Sequence, residues 1–291
     1  MSEEVLSLKG IVKTYRKDVL NGLDFNLTRG TVMGLVGKNG AGKTTMIKCA
    51  LGLLKPQEGQ ALVFGEDAWN MSKATKMRIG YVPQVMAGFT WMKAADLLAY
   101  TGAFYQGWNA QKVEAMLDEW DLDPRERVGS MSEGQKQKLA IIQAMGHDPD
   151  LLILDEPVAS LDPSARRQFL KQIIEINLSE EKSVLFATHI TSDIERVAAD
   201  VAFLREGRIV FQGDLDSLKD RIRRLHFQSD LELPNPLPIP NIIKAKVNGN
   251  TAAVTVDGVE REQIARLERE LQARITPENL NLEEIFLELN Q

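Results

Sequence analysis

The distribution of apolar and polar residues predicts an antiparallel sheet near the N-terminus, followed by buried parallel strands. Leu23, Phe25 and Leu27 alternate with polar neighbours, as expected for a sheet with one solvated face. Later apolar runs lack this alternation, which is typical of strands buried on both faces. These runs lie at residues 31–36, 79–82, 151–154 and 183–187, and a hairpin at 201–211 closes the sheet. With helices between the strands, the pattern indicates an α/β core with a mixed sheet.

The pattern changes to helical between about residues 88 and 145. Apolar residues recur at helical spacing in 91–105, 109–120 and 135–145, so we interpret this block as a helical insert in the α/β core. Met86, Phe89, Trp91 and Met92 stand at its start. They are either a groove for a partner's helix or ordinary core residues of the insert.

A smaller unit follows the core and carries no motif of its own. We predict domains at 1–215 and 216–291, the second being a small α+β appendage. Its expected elements are helices at 218–224, 259–273 and 282–289, a proline-rich extended stretch at 233–240, and a hairpin at 242–256.

Composition excludes several functional classes. The 291-residue chain has a net charge of −6 with both signs interspersed, which argues against a nucleic-acid binder. Its single cysteine, Cys49, excludes a disulfide scaffold and a cysteine-rich zinc site, and a reduced, cytoplasmic setting fits best. Since no apolar run approaches the length of a membrane span, any function at a membrane requires another chain to cross it.

The strongest chemical signal is the stretch from Gly37 to Thr45, which stands between a predicted strand and a predicted helix. Glycines at such a position let backbone N–H groups turn toward an anion, and the helix N-terminus adds positive potential. Lys43 is placed to reach the β- and γ-phosphates of a nucleotide, and Thr44 to offer a hydroxyl to Mg²⁺. The alternative is a glycine-rich turn with a chance lysine, which the strand and helix on either side make improbable.

Polar residues follow three of the buried strands. Asp155 and Glu156 end one run, His189 follows another, and Gln84 follows a third. Parallel sheets place ligands at the carboxyl edge of their strands, and buried carboxylates favour a cation such as Mg²⁺. Each residue alone has a structural alternative, since acids at strand ends are often simply solvated.

Two further positions are weaker candidates. Ser132 to Gln135 precede a helix, which makes them a potential anion site or merely an N-cap. Tyr15 is placed to stack on a purine at the end of a strand, although an exposed tyrosine there is more often structural.

In this order, the motifs resemble the ATP-binding subunits of ABC transporters over residues 5–215. The single cassette with a trailing domain is similar to the bacterial exporter-type subfamily. The resemblance implies a P-loop NTPase fold, an ATP hydrolase activity, and ATP and Mg²⁺ as ligands. It implies catalytic roles for Glu156, His189, Gln84 and Lys43, and a Mg²⁺ shell formed with Thr44, Gln84 and Asp155. The implied nucleotide-binding residues are Tyr15, Gly37, Asn39, Gly40, Ala41, Gly42, Lys43, Thr44, Thr45, Ser132, Gly134 and Gln135.

The resemblance also implies a location and partners. Residues Ser160 to Asp162 match the loop that crosses a dimer interface, and Ser132 to Gln135 match the signature motif that contacts ATP on the opposite subunit. We therefore expect a homodimer or heterodimer of ATPase chains, a separate membrane-spanning permease, and a peripheral position on the inner face of the cell membrane. The signature departs from Leu-Ser-Gly-Gly-Gln at Met131 and Glu133. Glu133 opposes dimer closure unless its side chain points outward or pairs with Lys136.

Two other interpretations remain. One is a soluble, non-transport ABC-type ATPase, although such proteins usually carry two cassettes, zinc-binding cysteines or a long coiled coil. The other is a regulatory module with vestigial hydrolysis, which the presence of Lys43, Asp155, Glu156 and His189 disfavours.

Overall fold

The computed structural model describes residues 3–180 and 182–289, so residues 1–2, 181 and 290–291 of the two predicted domains lie outside the described residues. Backbone contacts divide the chain into two compact units, Met1–Gln212 and Gly213–Gln291. The predicted boundary after residue 215 falls close to this division.

The larger unit combines strands and helices in the α/β arrangement. Its strands are β1 (Glu4–Thr14), β2 (Asp18–Thr28), β3 (Val32–Val36), β4 (Glu58–Val63), β5 (Glu66–Asp67), β6 (Ile79–Val82), β7 (Leu151–Asp155), β8 (Ser183–Thr188), β9 (Asp200–Arg205) and β10 (Arg208–Asp214). Its helices are α1 (Lys43–Ala50), α2 (Lys73–Lys76), α3 (Ala94–Gly102), α4 (Ala110–Glu119), α5 (Glu133–Met145), α6 (Pro163–Glu180) and α7 (Thr191–Val197).

Two sheets form the core of this unit. The first has the order β2-β1-β4-β5 and is antiparallel, with Leu8 opposite Phe25. The second has six strands in the order β10-β9-β3-β8-β7-β6, and the strands from β9 to β6 are parallel. Strands β3, β7 and β8 are buried along their whole length, which explains their unbroken apolar sequences.

The parallel strands position the candidate chemistry. Because β3, β6, β7 and β8 run the same way, their carboxyl ends meet at one edge of the sheet. The residues that follow them are Gly37, Gln84, Glu156 and His189, and Asp155 is the last residue of β7. One edge of one sheet therefore gathers residues that are 152 positions apart in sequence.

The insert is helical, as the pattern predicts, with α3, α4 and α5 between residues 88 and 145. The predicted helix at 91–105 is shorter in the structure at both ends: Lys93 forms an isolated β-bridge with Arg127, and α3 runs only from Ala94 to Gly102.

The smaller unit is an antiparallel sheet with helices. Its elements are α8 (Leu215–Arg221), β11 (Ile222–Ser229), β12 (Ile242–Asn248), β13 (Thr251–Asp257), α9 (Arg261–Leu271), β14 (Ala273–Asn279) and α10 (Leu282–Leu289). The sheet has the order β12-β13-β11-β14. The predicted hairpin is present, with Ala245 opposite Val254.

Our prediction of a helix over 218–224 is wrong at its end. Helix α8 stops at Arg221, and Ile222 begins β11, in which Leu225 and Phe227 are buried on alternate positions. The charged residues of α8 continue into this strand, so composition hides the change of period from helix to strand. Strand β14 was not predicted either, because Pro277 and three polar residues around it mask its alternation.

Candidate functional site

The loop between β3 and α1 is shaped by glycine. Gly42 caps α1 with φ 110°, a left-handed conformation that side chains other than glycine rarely adopt. A Cβ atom at this position would lie 3.0 Å from the carbonyl oxygen of Val19. Helix α1 has no side-chain cap at this end, so its first N–H groups point into the loop.

A cavity of about 380 Å³ lies against this loop. Its lining residues are Lys17, Val19, Lys38, Asn39, Gly40, Gly42, Lys43, Thr44, Thr45, Gln84 and Glu156. The structure thus brings Gln84 and Glu156 to the predicted phosphate loop. Lys17 and Lys38 are additional basic lining residues to which we gave no role. Lys38 lies within the predicted loop, whereas Lys17 carries no sequence signal of its own.

Lys43 is buried at the centre of the site. Its ammonium donates a hydrogen bond to the carbonyl oxygen of Gly37 at 2.7 Å and lies 3.1 Å from Oε1 of Glu156. Ala41 has a structural position in the same loop, where its N–H donates to the carbonyl of Lys38 at 3.1 Å. The charge of Lys43 is therefore balanced by a protein carboxylate inside the loop.

Glu156 is held from both sides. Its Oε2 accepts hydrogen bonds from Nδ1 of His189 at 2.8 Å and from the hydroxyl of Thr188 at 3.2 Å. Its backbone has φ 52°, and its N–H donates to the carbonyl of Ala187 at 2.9 Å. A positive φ at a residue other than glycine costs on the order of 1–3 kcal/mol, and such strain concentrates at functional sites. Its side chain is 5% exposed and contacted at both carboxylate oxygens, so its orientation is fixed.

Asp155 is the residue that best fits a bound cation. Its side chain is fully buried, and neither carboxylate oxygen has a hydrogen-bond partner among the described residues. Burial, opposed by nearby Thr44 and Lys43, raises the pKa of this carboxyl. Buried carboxylates without partners are costly, and Mg²⁺ is commonly held by one or two carboxylates together with substrate phosphates. The donor set of Asp155, Thr44 and Gln84 fits Mg²⁺ in this way.

The Ser132 to Gln135 segment forms the cap of α5. Ser132 Oγ accepts from the N–H of Gln135 at 3.2 Å, while the Gln135 side chain accepts from the N–H of Ser132 at 2.8 Å. Glu133 is 66% exposed and its Oε1 pairs with Nζ of Lys136 at 2.8 Å. In this arrangement the side chain of Glu133 points outward and is paired with Lys136, which reduces its electrostatic repulsion of a nearby phosphate. None of these residues lines the cavity at the phosphate loop.

Gly134 lies against the loop before α6. A Cβ atom on Gly134 would lie 2.8 Å from the carbonyl oxygen of Ser160, so the absence of a side chain permits this contact. The same loop continues to Asp162, whose Oδ1 accepts from the N–H groups of Ser164 and Ala165. The signature segment and the 160–162 segment are therefore neighbours within one chain.

Tyr15 is not among the cavity-lining residues, although Lys17 in the connection after it and Val19 in β2 are. Its side chain is 59% exposed, and the ammonium of Lys13 lies 5.6 Å from its ring centroid. Its stacking role stays a prediction.

His147, which lies between α5 and β7, is buried. Its Nε2 lies 3.1 Å from the carbonyl oxygen of Ile79, and its ring stacks on Tyr105 with a centroid distance of 3.9 Å. Burial lowers the pKa of this imidazole. The polar residues around it in sequence conceal a packing role.

Comparisons with known proteins agree with this geometry. Residues 20–159 match the family model described as ABC transporter. The chain is 34% identical over 224 residues to the uncharacterized ABC transporter ATP-binding protein YxlF of Bacillus subtilis (strain 168), covering 75% of this chain and 73% of that protein. The chain belongs to the family of ABC transporter ATP-binding proteins.

Other relatives extend the match to the appendage and the fold. Nod factor export ATP-binding protein I of Burkholderia pseudomallei (strain 1710b) is 31% identical, over 99% of this chain and 98% of the relative. A solved structure of an ATP-binding subunit of an ABC transporter superposes with a TM-score of 0.68 at 28% identity, covering 74% of this chain and 92% of that one. The predicted family, α/β fold class and ATP hydrolase activity are confirmed.

This ABC transporter ATP-binding protein carries an aromatic surface soon after Gln84. Phe89 lies 6.0 Å from Trp91 and 5.9 Å from Tyr100, and Tyr100 lies 5.2 Å from Phe104, measured between ring centroids. Trp91 is 69% exposed, so the interpretation of this residue as part of the core is wrong. We call Phe89, Trp91, Tyr100 and Phe104 the aromatic surface.

Within residues 3–180 and 182–289, no helix has both the length and the apolar character needed to span a bilayer.

Proposed function

We propose that the chain binds MgATP in the cavity at the phosphate loop and uses its hydrolysis to drive a separate membrane-spanning permease. The observation that carries the catalytic part is the continuous contact from Lys43 to Glu156 to His189 at the sheet edge. The ammonium of Lys43 can bind phosphate, the carboxylate of Glu156 can accept a proton from water, and the imidazole of His189 orients that carboxylate.

The phosphate-binding step follows from the loop geometry. The N–H groups at the start of α1 and the ammonium of Lys43 supply positive potential for the β- and γ-phosphates. Binding of phosphate requires Lys43 to exchange its contact with Glu156 for one with the nucleotide. Thr44, Gln84 and Asp155 are the residues that would hold Mg²⁺, which neutralises charge on the phosphates when bound.

The hydrolytic step uses the carboxylate that Lys43 releases. With Oε2 held by His189 and Thr188, Oε1 of Glu156 becomes free to accept a proton from the attacking water. His189 therefore acts on the orientation of Glu156 as well as near the γ-phosphate. Phosphoryl transfer depends mainly on positioning and charge neutralisation, which these contacts provide.

A second copy, or a related ATPase chain, completes each site. Support for this comes from Ser132, Gly134 and Gln135, which do not line the cavity of their own chain and lie at the start of a helix, where N–H groups attract anions. The ion pair with Lys136 offsets the negative charge of Glu133 at that end of α5. We infer an ATP sandwich in which this segment of one chain meets the phosphate loop of the other.

The permease docks on the aromatic surface. Exposed aromatic side chains that contact one another are enriched at protein interfaces. The surface begins five residues after Gln84, so a partner seated there would lie close in sequence to a residue proposed to hold Mg²⁺. We propose accordingly that the protein lies peripherally on the inner face of the cell membrane.

A pull-down from detergent-solubilised native membranes tests the transport function. Glu156→Gln protein with ATP and Mg²⁺ is the bait, and a polytopic membrane protein recovered in stoichiometric amount is the expected result. The matched bait carries Trp91→Ser in addition, and should lose that partner while still binding ATP. Recovery of ribosomes, nucleic acid or the chain alone from both baits would favour the soluble, non-transport ATPase.

A further inference from the structure

The sheet of the smaller unit has one covered face and one polar face. Leu225, Phe227 and Val254 point to the covered face, where they pack in a cluster with Leu267 of α9 and Leu237 of the proline-rich segment. The alternate residues of the same strands point the other way. The polar face is therefore the side on which this unit meets its surroundings.

Helix α10 neutralises one end of the polar face. Arg224 donates to Glu288 at 3.0 Å and to Glu284 at 3.4 Å, and Lys244 lies 3.4 Å from Glu288. Thr255, between Arg224 and Lys244 in the sheet register, is only 2% exposed. Basic residues at this end are thus bound by carboxylates of the chain itself.

The other end of the polar face is an open groove of about 510 Å³. One row across the sheet is Lys246, Ala253, His226 and Thr276, and the next row places Gln228 beside Arg274. The small side chain of Ala253 forms the floor, while the longer side chains on the two edge strands form the walls. We call this feature the open groove.

The open groove carries basic side chains, whereas the chain as a whole has a net negative charge. Lys246 and Arg274 are exposed, and neither has a carboxylate within salt-bridge distance in the part of the chain that the structure describes. Two acids lie close to these rows by register. Glu278 is already bound to His226 at 2.9 Å and to Arg224 at 3.2 Å, and Asp230, the residue after β11, forms no ion pair with Lys246 or Arg274 in the described part of the chain. In a chain with a net charge of −6, two unpaired basic side chains face each other across a cavity lined by amide and hydroxyl groups.

We propose that the open groove binds a small polyanion, with one anionic group held by Lys246 and another by Arg274. The strands that carry these residues are three sheet spacings apart, roughly 14 Å, which long side chains can bridge around a ligand. The volume is within the range of small-molecule sites, about 300–1,000 Å³. A second copy is a poor occupant, because it would bring two basic faces together. This site is independent of nucleotide binding.

Methyl NMR on the full chain, labelled at alanine methyl groups, tests the proposal with two probes, inorganic tripolyphosphate and citrate. The Ala253 methyl reports on the open groove and the Ala41 methyl on the phosphate loop. We expect a saturable shift at Ala253 with at least one probe, and the stronger probe separates phosphate from carboxylate ligands. Lys246→Gln with Arg274→Gln should weaken this binding by about tenfold or more, since each removes a charge-assisted hydrogen bond.

The control removes two charges from the opposite side of the same sheet. Arg261→Gln with Arg266→Gln alters two exposed basic residues of α9 and should leave the Ala253 titration unchanged. Three results would overturn the proposal: shifts at Ala41 alone, shifts at Ala253 that do not saturate, or an equal loss in the control. An Ala253 signal that changes with protein concentration before any probe is added would assign the groove to a second copy instead.

Discussion

At the scale of single residues, the side chain proposed to bind phosphate, Lys43, contacts the one proposed to activate water, Glu156. Lys43 and Glu156 form a buried contact of 3.1 Å, and His189 holds the other oxygen of Glu156. Sequence placed all three at one sheet edge, but it could not reveal that the carboxylate competes with phosphate for the lysine. That competition makes the two substitutions below informative.

Replacing Glu156 by glutamine should separate binding from hydrolysis. Turnover should fall by about 10²–10⁴-fold through loss of the base, while ATP affinity rises because Lys43 loses its competing carboxylate. Phosphate release and titration with a fluorescent nucleotide measure the two effects. Glu262→Gln, at an exposed acid of α9 in the smaller unit, should leave ATP affinity unchanged. Hydrolysis near the wild-type rate in Glu156→Gln would refute the assignment of the base.

Replacing Asp155 by asparagine should stabilise the chain and abolish its response to Mg²⁺. Burial raises the pKa of Asp155, so the folded state holds this proton more tightly than the unfolded state does. Wild-type stability is consequently lost as pH rises through that raised pKa, whereas the asparagine variant has no such loss. Above it, we expect the variant to gain on the order of 1–3 kcal/mol in urea unfolding without Mg²⁺. An equal Mg²⁺-dependent stabilisation by ATP in both proteins would contradict the metal assignment.

At the scale of elements, α5 and the loop before α6 meet through Gly134 and Ser160. Gly134→Ala should push the two apart, because its Cβ would lie 2.8 Å from a backbone carbonyl that cannot rotate away. We expect a loss of about 1–3 kcal/mol of stability and a larger loss of ATPase activity than of ATP affinity. The matched control is Gly107→Ala, where the added Cβ meets its nearest atom at 3.5 Å. Equal activity in the two variants would show that this contact does not position the signature segment.

Sequence predicted the buried parallel strands well because their physics is local. An unbroken apolar run such as Leu151 to Leu154 has few alternatives, and the polar residue after it marks the sheet edge. Strand β11 was missed because Arg223 and Arg224 continue the charged composition of α8. Contacts between distant segments, such as Gly134 with Ser160, depend on packing that no single stretch encodes.

At the scale of the whole molecule, the predicted nucleotide site and the open groove belong to different units with separate apolar cores. The site residues of the phosphate loop, the sheet edge and the signature segment all precede β10, and their strands pack in one cluster. The appendage has its own cluster, which includes Phe227 and Val254. Each unit therefore has the buried apolar surface that an independent fold requires.

A chain that ends at Asp214, the last residue of β10, should consequently bind ATP as the full chain does. We expect the dissociation constant for ATP to change by less than about threefold, which corresponds to less than about 1 kcal/mol in binding free energy. Circular dichroism checks that the truncated chain is folded, and Lys43→Ala in the same truncated chain must abolish binding for the result to count. Weak binding by a folded truncated chain would mean that the appendage supports the nucleotide site. Unchanged binding would confine the role of residues 215–291 to something other than nucleotide binding, in agreement with a ligand site on that unit that is independent of the nucleotide.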